Sequence, residues 1–155
     1  MRLVIAPQVV SDSHLKEILD KVKRPCIRYT EATEENVTQA DCLIIDCYGL
    51  LSSIYRYGEI SYIGGGFGVG IHNVLEAAVY GIPVIFGPNN KKFREAQHLL
   101  EQKGGFEVTG YDDFKRLMDK FLSDEAYLQQ AGKAAGNYVN HNAGALEKIM
   151  KDITL

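Results

Sequence analysis

Between Gly64 and Glu76 the chain reads GGGFGVGIHNVLE, five glycines followed by His72, Asn73 and Glu76. Residues without a Cβ let a loop turn sharply and present its backbone N–H groups. A helix opening near His72 or Asn73 would aim its positive end at the same place, and the two together suit an anion, a phosphate above all. Glu76, three residues after Asn73, could accept hydrogen bonds from a pair of sugar hydroxyls. The same spacing is that of a capping box with Asn73 as the cap, and Asn73 can serve both ends. His72 could be a neutral donor, a cation beside an anion, or a buried structural histidine. The glycines also fit a tight strand-to-helix connection in which backbones pack closely.

Two familiar phosphate-binding registers fail letter by letter. In G-x-G-x-x-G, starting from Gly64, Gly66 or Gly68, the last position falls on Val69, Ile71 or Asn73, and no Lys-Ser/Thr pair follows for a P-loop. Further candidates lie outside the glycine run. Asp46-Cys47-Tyr48-Gly49 could contact a base or ribose, although Asp46 also suits a turn. Gly87-Pro88-Asn89-Asn90 precedes Lys91, Lys92 and Arg94, which could meet an anion or sit as solvated surface charges. His14, His98 and His141 are scattered without metal-ligand spacing, and no Ser-His-Asp arrangement can be assembled. The chain therefore offers a binding site with no evident general base.

These residues need elements to position them. Ile60 to Ile63 and Ile82 to Phe86 read as buried strands on either side of the glycine loop and its helix. Upstream, Arg2 to Ala6 reads as a buried parallel strand, Ser11 or Asp12 caps a helix stopped by Pro25, Cys26 to Tyr29 is a second strand, and Asp41 to Cys47 a third. Thr30 to Ala40 is polar and reads as a solvated connection with at most a helical turn. Leu50, Leu51, Ile54 and Tyr55 mark a short helix. Downstream, Asn90 to Lys103 reads as a helix stopped by Gly104-Gly105, and Phe106 to Val108 as the last strand. From about Tyr111 the pattern is helical, with stripes Phe114, Leu117, Met118, Phe121 and Tyr127, Leu128, Ala131, Ala135, then a final helix from Ala145 to Ile153 packing Leu146, Ile149 and Met150.

This alternation predicts an α/β fold, a Rossmann-like doubly wound parallel sheet forming one domain over residues 1–155. Ligands of such sheets bind beyond the carboxyl ends of the strands, where Pro7, Asp46, Gly64 to Asn73 and Gly87 to Asn90 are expected to meet.

Composition narrows the classes. A length of 155 residues with 46% hydrophobic content suits a single core, and a net charge of −3 provides no electrostatic footprint for nucleic acid. Cys26, Cys42 and Cys47 fit no zinc or redox spacing and read as reduced thiols of a cytoplasmic protein, Cys42 and Cys47 as buried ones. No apolar stretch approaches the ~20 residues of a membrane span, and MRLVIAPQ lacks a signal-peptide layout. A start directly on a strand suggests a domain cut from something longer.

Read together, Ile5-Ala6-Pro7, Asp46-Cys47-Tyr48-Gly49 and YIGGGFGVGIHNVLEAAVYGIPVIFGPNNKKF, with Phe93 and Glu95, resemble the C-terminal half of the 3-deoxy-D-manno-octulosonic acid (Kdo) transferases of lipopolysaccharide synthesis. These are glycosyltransferases of the GT-B type, built from two Rossmann-like domains. The similarity spans nearly the whole chain and rests on a G-G-H-N-x-x-E, G-x-P-V-x-x-G-P, F-x-[D/E] pattern. It implies a donor-binding domain for CMP-Kdo, with Gly64, Gly65, Gly66, Gly70, His72 and Asn73 around the phosphate and Glu76 on the ribose. Pro7, Asp46, Tyr48, Gly49, Pro88 and Asn89 would lie around the cytosine and sugar.

The resemblance further implies transfer without a bound metal or cofactor. The general base and the lipid A precursor site would belong to an N-terminal acceptor domain, in a full-length enzyme on the cytoplasmic face of the bacterial inner membrane. The fragment alone would then be inactive. Departures from the family pattern stand at Leu50, where a carboxylate is common, at Gln8 and Val69, where basic residues are common, and at Ala77, where proline follows the glutamate. Lys91, Lys92 or Arg94 could compensate for the missing cations. Two other classes remain open: the donor half of a UDP-sugar GT-B transferase, and a non-catalytic nucleotide-binding module.

Overall fold

The computed structural model describes the backbone of residues 1–153 and the side chains of residues 1–144. It divides into two compact units, Met1–Ile54 and Tyr55–Leu155. Each carries a three-stranded parallel sheet, so the alternation of strands and helices read from the sequence is present in both, and the six strands form two ladders instead of one.

In the first unit, β1 (Leu3–Ile5), α1 (Asp12–Lys21), β2 (Cys26–Arg28), β3 (Cys42–Ile44) and α2 (Leu51–Ile54) follow the expected order. Ser11 caps α1 by accepting the His14 N–H, which satisfies one donor that the first helical turn leaves free. Pro25 ends the run after α1, and its carbonyl accepts the N–H groups of Asp41 and Cys42. The sheet order is β1-β3-β2. Leu15, Cys42 and Ile44 form the buried centre, with Ile5, Ile18, Leu19 and Val22 packed around them. β1 departs from the expectation of a buried strand, since Leu3 and Val4 are 43% and 47% exposed. It is an outer strand paired on one side only, and an apolar run specifies a strand without specifying that both faces are covered. The polar stretch from Thr30 contains two short 3-10 turns, Tyr29–Glu31 and Val37–Gln39, in keeping with a solvated connection.

In the second unit, β4 (Ser61–Ile63), β5 (Val84–Phe86) and β6 (Gly105–Glu107) form the sheet in that order, all parallel. Helices α3 (Leu75–Ala78), α4 (Arg94–Glu101), α5 (Tyr111–Ser123) and α6 (Glu125–Ile153) surround it. One cluster joins Ile63, Val74, Ala77, Val84, Phe86, Leu99 and Ala135. A second gathers Ile85, Val108, Phe121 and Ala131, with Phe106, Phe114 and Leu117. Successive residues of β5 thus feed opposite faces, as the period of two requires, and both faces are covered.

Several element boundaries differ from the sequence reading. The helix expected from Asn90 opens only at Arg94, because the Asn90 carbonyl accepts the Phe93 N–H in a turn. That helix ends at Glu101 with Gln102 as its cap, and the left-handed position after the cap is taken by Lys103, a non-glycine residue with φ of 60°, in place of Gly104. The last strand lies one residue earlier than expected, at Gly105–Glu107. The separate final helix expected from Ala145 is continuous with α6, and the packing expected of Leu146, Ile149 and Met150 lies outside the described side chains.

Candidate functional site

In parallel sheets the carboxyl ends of the strands share one edge, and each unit places its candidates there. In the second unit β4 runs directly into the glycine loop. Gly65 and Gly70 take φ of +88° and +144°, a region that favours glycine. The Gly65 carbonyl accepts the N–H groups of Gly68 (2.9 Å) and Gly70 (3.2 Å), and the Gly64 carbonyl accepts that of His72 (3.1 Å). Three of the amides expected to face an anion are therefore committed to the loop itself.

The close-packing role of the glycines is realised at Gly66. A Cβ there would stand 2.5 Å from the Gly87 nitrogen, and one on Gly87 would stand 2.7 Å from the Gly66 carbonyl carbon. Asn89 completes the contact, its N–H donating to Gly66 O (2.9 Å) and its Nδ2 to Gly68 O (2.5 Å). The structure thus brings Gly64 to Gly70 together with Gly87, Pro88 and Asn89.

The helix after the loop is α3, which opens at Leu75 and not at His72 or Asn73. Asn73 Oδ1 accepts the Leu75 N–H (3.0 Å), an Asx-type turn that holds residues 72 and 73 outside the helix. Glu76 Oε1 accepts from Asn73 Nδ2 at 3.2 Å. The capping role of this pair is present in altered register, and the second Glu76 oxygen is left for another donor. At four residues α3 has few aligned peptide dipoles, so the helix contributes less positive potential than the sequence implied. His72 is exposed and not buried as one reading had it; a Cβ on Gly65 would lie 3.4 Å from its Nε2, which places the ring over the loop.

Lys91, Lys92 and Arg94 are exposed, and no salt bridge involves them among the described residues. Phe93 is half-buried, and its ring lies 3.0 Å from where a Gly70 Cβ would sit.

In the first unit Pro7 follows β1, and Asp46, Tyr48 and Gly49 follow β3. Both Asp46 oxygens are engaged by Thr30, whose N–H donates to Oδ1 (3.0 Å) and whose hydroxyl donates to Oδ2 (2.6 Å). Burial alone would raise the Asp46 carboxyl, but those two hydrogen bonds and the Arg28 charge outweigh it and hold the group below its ordinary value. Asp46 therefore ties the carboxyl ends of β2 and β3. Tyr48 is 75% exposed, with its hydroxyl accepting the Val10 N–H at 3.4 Å, and Gly49 turns the chain with φ of +88°.

Several contributors carry no sequence signal. Thr30 sits in a polar stretch that suggested no chemistry. Tyr55 is pushed above the ordinary phenol value by burial first and by the Glu76 carboxylate second, which puts a neutral hydroxyl near that glutamate. Asn90 is buried, and a groove of about 410 Å³ beside the glycine loop is lined by Tyr62, Phe67, Val108, Gly110, Tyr111 and Phe114. Aromatic residues at helical or strand spacing read as core from sequence alone, and only the structure shows Tyr62, Phe67 and Tyr111 exposed.

All three cysteines are free thiols. Cys42 is buried and its thiol is pushed up to about 12 by burial, with Cys26 as the next cause, whereas Cys26 and Cys47 are only half-buried. Among the described residues no three His, Cys, Asp or Glu side chains are grouped to hold a metal, and no helix is long and apolar enough to cross a membrane.

Parallel strands covered by helices, with a glycine loop at the carboxyl edge of β4, give the chain a Rossmann-like α/β architecture. In fold the chain is similar to the C-terminal CMP-Kdo binding domain of WaaA from Acinetobacter baumannii, with a TM-score of 0.66 over 88% of this chain and 72% of that one, at 18% identity. In sequence it is similar to 3-deoxy-D-manno-octulosonic acid transferases. That of Aquifex aeolicus is 31% identical over 125 residues, covering 79% of this chain and 34% of the relative. That of Rickettsia felis is 28% identical over 149 residues, covering 90% of this chain and 31% of the relative. The chain thus spans about a third of the length of these relatives, and the resemblance carried by its motifs is matched across most of its own length. No family model matches the chain.

Proposed function

We propose that this chain is the donor-binding domain of a Kdo transferase, holding CMP-Kdo for transfer to a lipid A precursor in lipopolysaccharide synthesis. The observation that carries the proposal is the glycine loop at the carboxyl edge of β4, braced by Gly87 to Asn89 and followed within one turn by Asn73 and Glu76. The similarity to Kdo transferases supports the choice of nucleotide sugar.

On this reading Gly64 to Gly70, His72 and Asn73 surround the CMP phosphate. Glu76 takes the ribose hydroxyls with the oxygen that Asn73 leaves free, while Asn73 Nδ2 fixes the rotamer of the carboxylate. Pro88 and Asn89, beside the glycine loop in the same unit, lie toward the sugar. When the sugar leaves CMP, the negative charge that grows on the phosphate is met by loop amides and by His72. The general base, the acceptor lipid and the inner-membrane location belong to the remainder of a longer enzyme, and this chain alone does not transfer sugar.

Calorimetric titration separates this reading from its relatives. CMP is expected to bind more tightly than UDP; equal affinity, or preference for UDP, would transfer the chain to the UDP-sugar enzymes. Absence of binding to both would leave a non-catalytic module.

A further inference from the structure

Asn90 lies at the carboxyl edge of the second unit's sheet with only 1% of its surface exposed, and the nucleotide reading gives it no role. Every polar atom of its side chain is engaged. Nδ2 donates to the Gly87 carbonyl (2.9 Å) and to Glu107 Oε2 (2.6 Å), while Oδ1 accepts from Gln97 Nε2 (2.6 Å). Gln97 Nε2 also reaches the Asn90 carbonyl at 3.2 Å. Three elements therefore converge on one amide: the segment after β5, the end of β6 through Glu107, and α4 through Gln97. Gly87, the first of these partners, is the residue whose backbone abuts Gly66.

We infer that Asn90 is a positioning residue for the phosphate-binding loop. It fixes the Gly87 carbonyl, and Gly87 with Asn89 fixes Gly66 and Gly68, so the conformation in which the glycine loop meets a phosphate is set from a buried amide that never touches the ligand. This inference rests on the nucleotide reading of Gly64 to Gly70. A buried amide with every polar atom engaged is costly to disturb, because each lost partner leaves a desolvated group behind.

The experiment is amide hydrogen exchange on the 155-residue chain, read at residues 64–70 and at β5, alongside CMP affinity. Asn90→Asp keeps the shape, removes both donors and sets a carboxylate against Glu107. It is expected to speed exchange in residues 64–70 about tenfold, with less than about a twofold change in β5, and to weaken CMP about fivefold. Adding Glu107→Gln removes the opposed charge and returns a donor, and should recover at least about threefold of the exchange. Gln97→Ala, which takes away both bonds from Gln97 Nε2 to Asn90 and leaves those to Gly87 and Glu107, should loosen the same residues about threefold and serves if Asn90→Asp does not fold. Unchanged loop exchange, an equal rise in β5, or no recovery in the double variant would overturn the inference. Failure of the unaltered chain to bind CMP would defeat the nucleotide reading instead, and the exchange pattern would still decide whether Asn90 positions the loop.

Discussion

Gly66 and Gly87 meet backbone to backbone: a Cβ on Gly66 would stand 2.5 Å from the Gly87 nitrogen, a separation that side-chain carbons do not adopt. Two loops from the carboxyl ends of β4 and β5 are thereby joined without any side chain between them, and Asn89 adds two hydrogen bonds to the joint.

Alanine at either glycine must push the loops apart. Gly66→Ala and Gly87→Ala are each expected to lower stability by about 1–3 kcal/mol, the usual cost of overpacking, in urea denaturation. Gly68→Ala is the control. A Cβ there meets only Gly65 O, at an ordinary 3.7 Å, so its cost should stay within about 0.5 kcal/mol. Equal costs at the three positions would mean that the close approach does not organise the loop.

Asn73 and Glu76 should separate stability from binding. Asn73→Ala removes the acceptor for the Leu75 N–H and should cost about 1 kcal/mol, as loss of a helix cap does. Glu76→Ala should leave the denaturation midpoint nearly unchanged and weaken CMP about tenfold, which corresponds to about 1.4 kcal/mol of charge-assisted hydrogen bonding. A Glu76→Ala chain with full CMP affinity would remove the glutamate from the site.

The Asp46–Thr30 pair predicts a pH dependence. The folded carboxyl titrates below its unfolded value of about 3.9, so its contribution to stability is complete above that value and is lost as pH falls through the folded one. Thr30→Val deletes the hydroxyl bond and keeps the N–H bond. The stability gap between the two chains should be widest at pH 6–7 and should shrink as the pH falls below about 4. A gap that is independent of pH would show that Thr30 acts through packing and not through the carboxylate.

The parts of the molecule that could be read from its residues are those governed by local periodicity. All six strands overlap the expected segments, with β3 ending three residues early and β5 starting two residues late, Ser11 caps α1 as its type predicts, and the glycine loop stands between β4 and α3. Local pattern says less about partners. Leu3 and Val4 look like any buried strand, yet their exposure depends on what lies beside β1. Asn90 reads as the start of a helix, and its burial arises instead from Glu107 and Gln97, seventeen and seven positions away. The late opening of α3 at Leu75 comes from competition between helix and Asx turn, which residue type alone does not decide. The glycine turn and the Asn73–Glu76 contact can be read from residue type and spacing, whereas the contacts of Thr30 and Tyr55 become visible only through what they touch.

The central claim is that this chain holds the nucleotide of CMP-Kdo at its glycine loop. Titration of CMP against the ¹⁵N-labelled chain, followed by amide chemical shifts, tests it most directly. The account predicts saturable shifts concentrated in residues 64–76 and 87–90, reduced by Glu76→Ala. Resonances of those residues that stay unmoved at millimolar CMP would contradict it.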